Sequence, residues 1–181
     1  MRQHQPNPGV LVHPDGTTVT CLEWSTDDHG EYLLVEHNIS RNGAINGAHW
    51  HPSLTETFTI IQGTMRFRVD GKDIWAGPGE RLTVTPGQVH QFWNESDGQL
   101  MMRHEIRPPG NHWQMFALIH KLETEGKMNK KGIPSNPLWL GLAWKSMDGY
   151  IAGPPVTVQK VVMGGLARIA NALGYTVNGN S

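Results

Sequence analysis

Turn-forming residues recur along the stretch from Pro14 to Gly98, and from Gln62 onward so closely that no long helix fits. Pro14-Asp15-Gly16, Asn42-Gly43, Gln62-Gly63, Asp70-Gly71, Gly77-Pro78-Gly79, Pro86-Gly87 and Ser96-Asp97-Gly98 cut this half into short pieces. Glycine reaches positive φ at little cost, and proline and aspartate preset tight turns. The pieces between them are rich in β-branched and aromatic residues: Tyr32-Leu33-Leu34-Val35, Thr57-Phe58-Thr59-Ile60-Ile61, Met65-Arg66-Phe67-Arg68-Val69 and Leu82-Thr83-Val84. Met65 to Val69 alternates apolar and polar, the period of a strand with one buried face. Many short strands at this spacing predict a mainly β fold, a sandwich or barrel.

The candidate chemistry lies on these strands. His49-Trp50-His51 places two imidazoles on one strand face, with Cα atoms about 6.6 Å apart, so two ring nitrogens can converge on one ion. Pro52-Ser53 breaks the strand, and Glu56 opens the next apolar run. Two histidines and a carboxylate form a donor set suited to non-haem iron and related divalent metals. His90 follows the Pro86-Gly87 turn and can supply a fourth ligand. On the last strand Met102, His104 and Ile106 share a face, so His104 is expected inside, as a proton-transfer group or a support for the ligands. The candidate catalytic residues are therefore Glu56 and His104. Phe58, Ile60, Met65, Phe67, Val69 and Phe92 are expected to point inward and give an apolar cavity. His4, His13, His29, His37, His112 and His120 have no partner at ligand spacing.

These residues carry a resemblance. Gly47-Ala48-His49-Trp50-His51, four residues to Glu56 and six to Gly63 resemble the first conserved motif of the cupin superfamily. Gly79, seven residues to Gly87, two to His90 and three to Asn94 resemble the second. In the family one residue usually separates the proline from the glycine; here Pro86 and Gly87 are adjacent. The resemblance covers about residues 10–107. It implies a cupin-type antiparallel β-barrel (a double-stranded β-helix, or jelly roll). It also implies one divalent transition metal, Fe, Mn, Ni, Cu, Co or Zn, bound at His49, His51, Glu56 and His90. Dioxygenases, oxidases, decarboxylases and isomerases all use such sites. The apolar cavity favours dioxygenase-type oxidation of a small organic molecule. The alternatives are a cupin isomerase or decarboxylase, and a binding or regulatory protein without turnover.

After Pro108-Pro109-Gly110 the period changes to that of a helix. Met115, Leu118, Ile119 and Leu122 make one stripe, with Asn111 placed to cap it and Gly126 to end it. Val158, Val161, Val162, Ile169 and Leu173 make a second, closed by Gly174. The expected organisation is a barrel with a short N-terminal arm over 1–109. A helical extension over 110–181 is expected to pack on that barrel. The formal net charge is −1 with no basic run, which argues against nucleic acid or a membrane surface as partner. The single cysteine, Cys21, allows no intrachain disulfide. The N-terminal residues lack the apolar core of a signal peptide, so a cytoplasmic protein is expected. A homodimer is expected from strand edges that need covering and from the tryptophan-rich tail.

Overall fold

Two of the short linkers that carry the chain between the β-sheets touch each other. The computed structural model describes residues 9–130 and 132–177; the N-terminal stretch with His4 lies outside them. The strands are β1 Val10–Val12, β2 Thr18–Asp27, β3 Gly30–Ile39, β4 Gly43–Ala44, β5 His49–Trp50 and β6 Thr55–Gln62. Then come β7 Met65–Val69, β8 Lys72–Ala76, β9 Arg81–Val84, β10 His90–Asn94 and β11 Leu100–Arg107. One antiparallel sheet runs β1-β2-β3-β11-β6-β9. The other runs β5-β10-β7-β8, with β4 also paired to β10. This is a jelly roll whose ladders form two facing sheets; they do not close into one barrel.

Alternation builds the space between the sheets. In β7, Met65, Phe67 and Val69 are buried; in β10, His90, Phe92 and Asn94; in β11, Leu100, Met102, His104 and Ile106. With Ile39, Phe58, Ile60, Ala76 and Val84, the apolar members of this set other than Ile106 form one continuous core. The Phe58, Phe67 and Phe92 rings meet at centroid distances of 5.2 to 6.1 Å. Side chains expected to wall a cavity pack on one another between the sheets.

The linkers meet at Gly63, between β6 and β7. Its φ is +88°, and a Cβ there would lie 2.3 Å from Ser96 Oγ and 2.8 Å from the Gln99 carbonyl oxygen. Ser96 and Gln99 belong to the other linker, from β10 to β11. Asn94 pins that linker. Its Nδ2 donates to the Arg41 and Gly98 carbonyls at 3.0 and 3.1 Å, and its Oδ1 accepts from Ser96 N at 2.9 Å. Ser96 Oγ in turn accepts from Thr64 N at 2.7 Å. Glycine at 63 thus serves both a positive φ and a backbone approach. Gly63→Ala is expected to cost about 2 to 3 kcal/mol, from overpacking and strain. Urea denaturation checks this, and an unchanged midpoint would refute it.

The described residues part into two units between Pro109 and Gly110. The second unit carries α1 His112–Thr124, α2 Pro137–Ser146 and α3 Val156–Ala172. Its core joins Leu118 and Leu122 of α1 to Trp139 and Leu142 of α2 and to Ala167 and Ala170 of α3. Asn136 caps α2, accepting from Leu138 N at 2.8 Å. Asn111 precedes α1 without a side-chain cap bond; its Nδ2 donates to Asp148 Oδ1 instead.

The second sequence stripe is a helix, but the structure turns it the other way. Val158, Val161, Val162, Ile169 and Leu173 are exposed, while Gln159, Ala167 and Ala170 are buried. The cause is the close crossing of α2. A Cβ on Gly141 would come within 2.8 Å of Ala167 N, so only small residues fit on the inner face of α3 there. Gln159 is tolerated because its amide is fully engaged. Its Oε1 accepts from Ile151 N and Trp144 Nε1, and its Nε2 donates to the Ile151 and Pro154 carbonyls.

Candidate metal centre

His49 and His90 are cross-strand partners in the β5–β10 pair, so both rings start from neighbouring strands of the second sheet. Glu56 comes from β6 in the facing sheet, opposite Ile106 and Val84. His51 follows β5, and its carbonyl accepts from Gly87 N at 2.8 Å. That bond ties the loop carrying His51 to the Pro86-Gly87 turn before His90. Gly87 has φ +85°, which the adjacent proline does not disturb.

The four side chains converge. One ligand atom from each of His49, His51, Glu56 and His90 lies within 4.8 Å of all the others. Glu56 Oε2 is 2.9 Å from His90 Nε2 and 3.4 Å from His51 Nε2. His51, Glu56 and His90 are buried, and His49 is half-buried. Glu56 Oε2 and His90 Nε2 are shut off from solvent, close together, and not aligned as a hydrogen bond. Buried polar atoms left this way are costly. Donors aimed at one shared point are what a cation between them would satisfy. Three imidazoles and one carboxylate suit a divalent transition metal, so the residues present fit such an ion.

Two rings have their tautomers set by the main chain. His49 Nδ1 donates to the Gly47 carbonyl at 2.8 Å, and His90 Nδ1 donates to the Gln88 carbonyl at 3.0 Å. A carbonyl oxygen can only accept, so the proton sits on Nδ1 and the lone pair on Nε2.

Charge in the cluster is balanced against burial. Burial and the neighbouring His90 push His49 down to about 4, so its ring stays neutral at ordinary pH. Burial would raise the Glu56 carboxyl, but contacts with His104 and His90 outweigh it and hold the group well below the carboxylate range. Burial also opposes a charged His90, and the Glu56 carboxylate more than offsets this, so His90 is raised.

His104 is buried on β11, opposite Phe58. Its ring stacks on Phe58 at 4.2 Å and 20°. Its Nε2 lies 3.0 Å from Glu56 Oε1, the oxygen not turned toward His51 and His90. Behind it stands His37 of β3, with ring centroids 5.6 Å apart. Burial and His104 lower His37 to about 3. Nothing in the sequence singles out His37, since no short spacing links it to the four clustered residues. Its neighbour emerges only from the β3–β11 register, in which Val35 faces His104 and His37 faces Met102. His13 and His112 are buried too, and neither belongs to the four-residue cluster.

A family model described as a cupin domain matches residues 38–106, a span that holds all four side chains. A comparison with curated proteins gives no match. Several solved structures are similar. KdgF from Halomonas sp. is 14% identical, with 50% of this chain and 78% of that one covered and a TM-score of 0.43. The cupin domain of an XRE family transcriptional regulator from Enterobacter cloacae is 14% identical, with 50% and 94% covered and a TM-score of 0.43. A protein described as a sugar phosphate isomerase from Silicibacter pomeroyi is 18% identical, with 56% and 66% covered and a TM-score of 0.44.

Proposed function

We propose that this chain, whose residues 38–106 match a family model described as a cupin domain, binds one divalent transition metal through His49, His51, Glu56 and His90. Through that metal it would act on a small, partly apolar organic molecule, with dioxygenase-type oxidation as the favoured chemistry. The supporting observation is the convergence of the four ligand atoms within 4.8 Å. A bound ion of this kind supplies Lewis-acid or oxygen-activating chemistry, with coordination positions left open by four protein ligands.

The chain's own residues do the positioning. His49 and His90 present lone pairs fixed by their carbonyl partners. His49 is the one ligand with partial exposure, so a small molecule reaches the centre from its side. Glu56 divides its oxygens, with Oε2 toward His51 and His90 and Oε1 toward His104. His104 is a positioning residue: held by the Phe58 stack, it keeps Glu56 from rotating. His104→Leu is expected to weaken metal binding about 10- to 100-fold. His104→Gln, which keeps a polar side chain facing Oε1, is expected to recover part of that loss. Competition against a fluorescent chelator measures both, and equal affinity in Leu, Gln and parent proteins would refute the role.

The close packing of Phe58, Phe67 and Phe92 favours a second reading, in which the centre binds a small molecule without turning it over. One experiment separates the readings. The metal-loaded protein is incubated with a panel of small aromatic and aliphatic acids, diols and ketones, under air and under argon. Product formed only under air supports oxidation. Product formed equally under argon points to isomerase or decarboxylase chemistry. Saturable binding without product supports the second reading.

A further inference from the structure

We propose that Asp70 is a positioning residue for the metal centre, its carboxylate clamping the turn that aims His90 and tethers His51. The proposal rests on the metal-binding reading above and adds to it a residue outside the four ligands.

His90 stands where its strand pairings stop. The β7–β10 ladder ends at the pair of His90 with Val69, and β5 meets β10 at the pair of His49 with His90. The acceptor for His90 Nδ1, the Gln88 carbonyl, lies past that end, in the turn over residues 85–89. Gly87 N in the same turn donates to the His51 carbonyl. Two ligands therefore take their places from a segment outside the strand ladders. Such segments open at little cost unless something else holds them.

Asp70 holds this one from the tip of the β7–β8 hairpin. Its N–H donates to the Val89 carbonyl at 2.8 Å, and its Oδ1 accepts from Val89 N at 3.0 Å. That is the reciprocal exchange of an antiparallel pair, one step beyond Val69, with a carboxylate oxygen in place of a main-chain carbonyl. Oδ2 accepts from Gln88 Nε2 at 3.2 Å. Gln88 Oε1 in turn accepts from Thr85 N and Thr85 Oγ1 at 2.9 and 3.0 Å. One carboxylate thus fixes Val89 directly and the start of the turn through Gln88.

The hairpin alone does not require aspartate. Asp70 and Gly71, with φ +48° and +80°, are the two residues between β7 and β8. Asparagine and glycine suit both positions of such a turn. What a carboxylate adds is two acceptor oxygens, and here both are used. Asparagine would keep an acceptor for Val89 N but turn its own N–H donors toward Gln88 Nε2. Glycine would keep the turn and lose both side-chain bonds.

The test is zinc affinity of the full chain by chelator competition, read beside the His90 Nδ1–H proton signal of the metal-free protein. Asp70→Gly is expected to bind zinc at least about tenfold more weakly than the parent, the usual loss when a partner behind a ligand is removed. Its His90 Nδ1–H signal should broaden through exchange with water. Asp70→Asn should fall between the two. Asp73→Asn removes a carboxylate from the same hairpin, one that pairs with Arg68, and should match the parent in both readouts. If the glycine variant fails to fold, the asparagine variant carries the comparison. Parent-like affinity with an intact Nδ1–H signal in the Asp70 variants would overturn the proposal. An Asp73→Asn protein as weakened as Asp70→Asn would also overturn it, reducing the effect to net charge. A parent that takes up no zinc would count against the metal reading instead, and the Nδ1–H signal would then decide the clamp.

Discussion

His90→Ala and His49→Ala proteins, each purified after loading with iron, manganese, nickel or zinc, are expected to retain less than about a tenth of an ion per chain. The parent and a His112→Ala control should retain about one. Each substitution removes a donor whose lone pair is aimed by its own backbone, and nothing nearby replaces it. Losing His90 also strips Glu56 Oε2 of its contact at 2.9 Å, leaving a buried carboxylate less well compensated. His112 belongs to the second unit and lies outside the cluster, so its loss tests whether any buried histidine matters. Elemental analysis reads the outcome directly. Equal metal in all four proteins would refute the ligand assignment. The parent should also stay folded after chelation. Its first unit has a continuous apolar core that needs no ion, unlike a zinc finger. Chelation should lower the melting temperature only by the binding linkage, and complete unfolding would contradict that.

Phe58→Ala is expected to destabilise the protein by about 3 to 5 kcal/mol, the range for deleting a buried aromatic ring. Phe58 is fully buried and touches Phe67 and Phe92 from the facing sheet, so its loss opens a void between the sheets. The same substitution removes the surface on which His104 stacks. Metal affinity should therefore fall as well, even in the fraction that remains folded. Urea denaturation gives the first effect, and chelator competition on the folded protein at low temperature gives the second. Phe58→Leu keeps much of the volume but loses the flat ring. It should recover most of the stability and less of the affinity. A variant with full affinity would show that the stack does not hold His104.

Legibility in the sequence followed how local each signal was. β7 could be read residue by residue because one face is core and the other is solvent. The four clustered residues lie in two short motifs bounded by glycine turns, so their meeting could be expected before any strand order was known. β2 is harder to read. A bulge between Cys21 and Glu23 interrupts its alternation and leaves Leu22 exposed. β8 is harder still, since Lys72 to Trp75 are all exposed on an edge strand and show no inward face. The neighbourhood of His37 and His104 depends on the register of β3 against β11, which no spacing along the chain encodes. α3 misleads for another reason: periodicity reports an apolar face without saying what covers it. The buried face was instead chosen by residue size, through Gly141, Ala167 and Ala170.

The two kinds of orienting partner at the centre differ in heritability. His49 and His90 take their direction from carbonyl oxygens at Gly47 and Gln88. Any residue at those positions supplies the same oxygen, so a coding change there leaves the partner in place as long as the turn survives. Glu56 Oε1 instead faces the side chain of His104 at 3.0 Å, and one codon change can delete that partner. Drift among descendants of this chain would then leave two imidazoles aimed as they are. Variation in how the carboxylate meets the ion, and with it metal preference, would be concentrated at position 104.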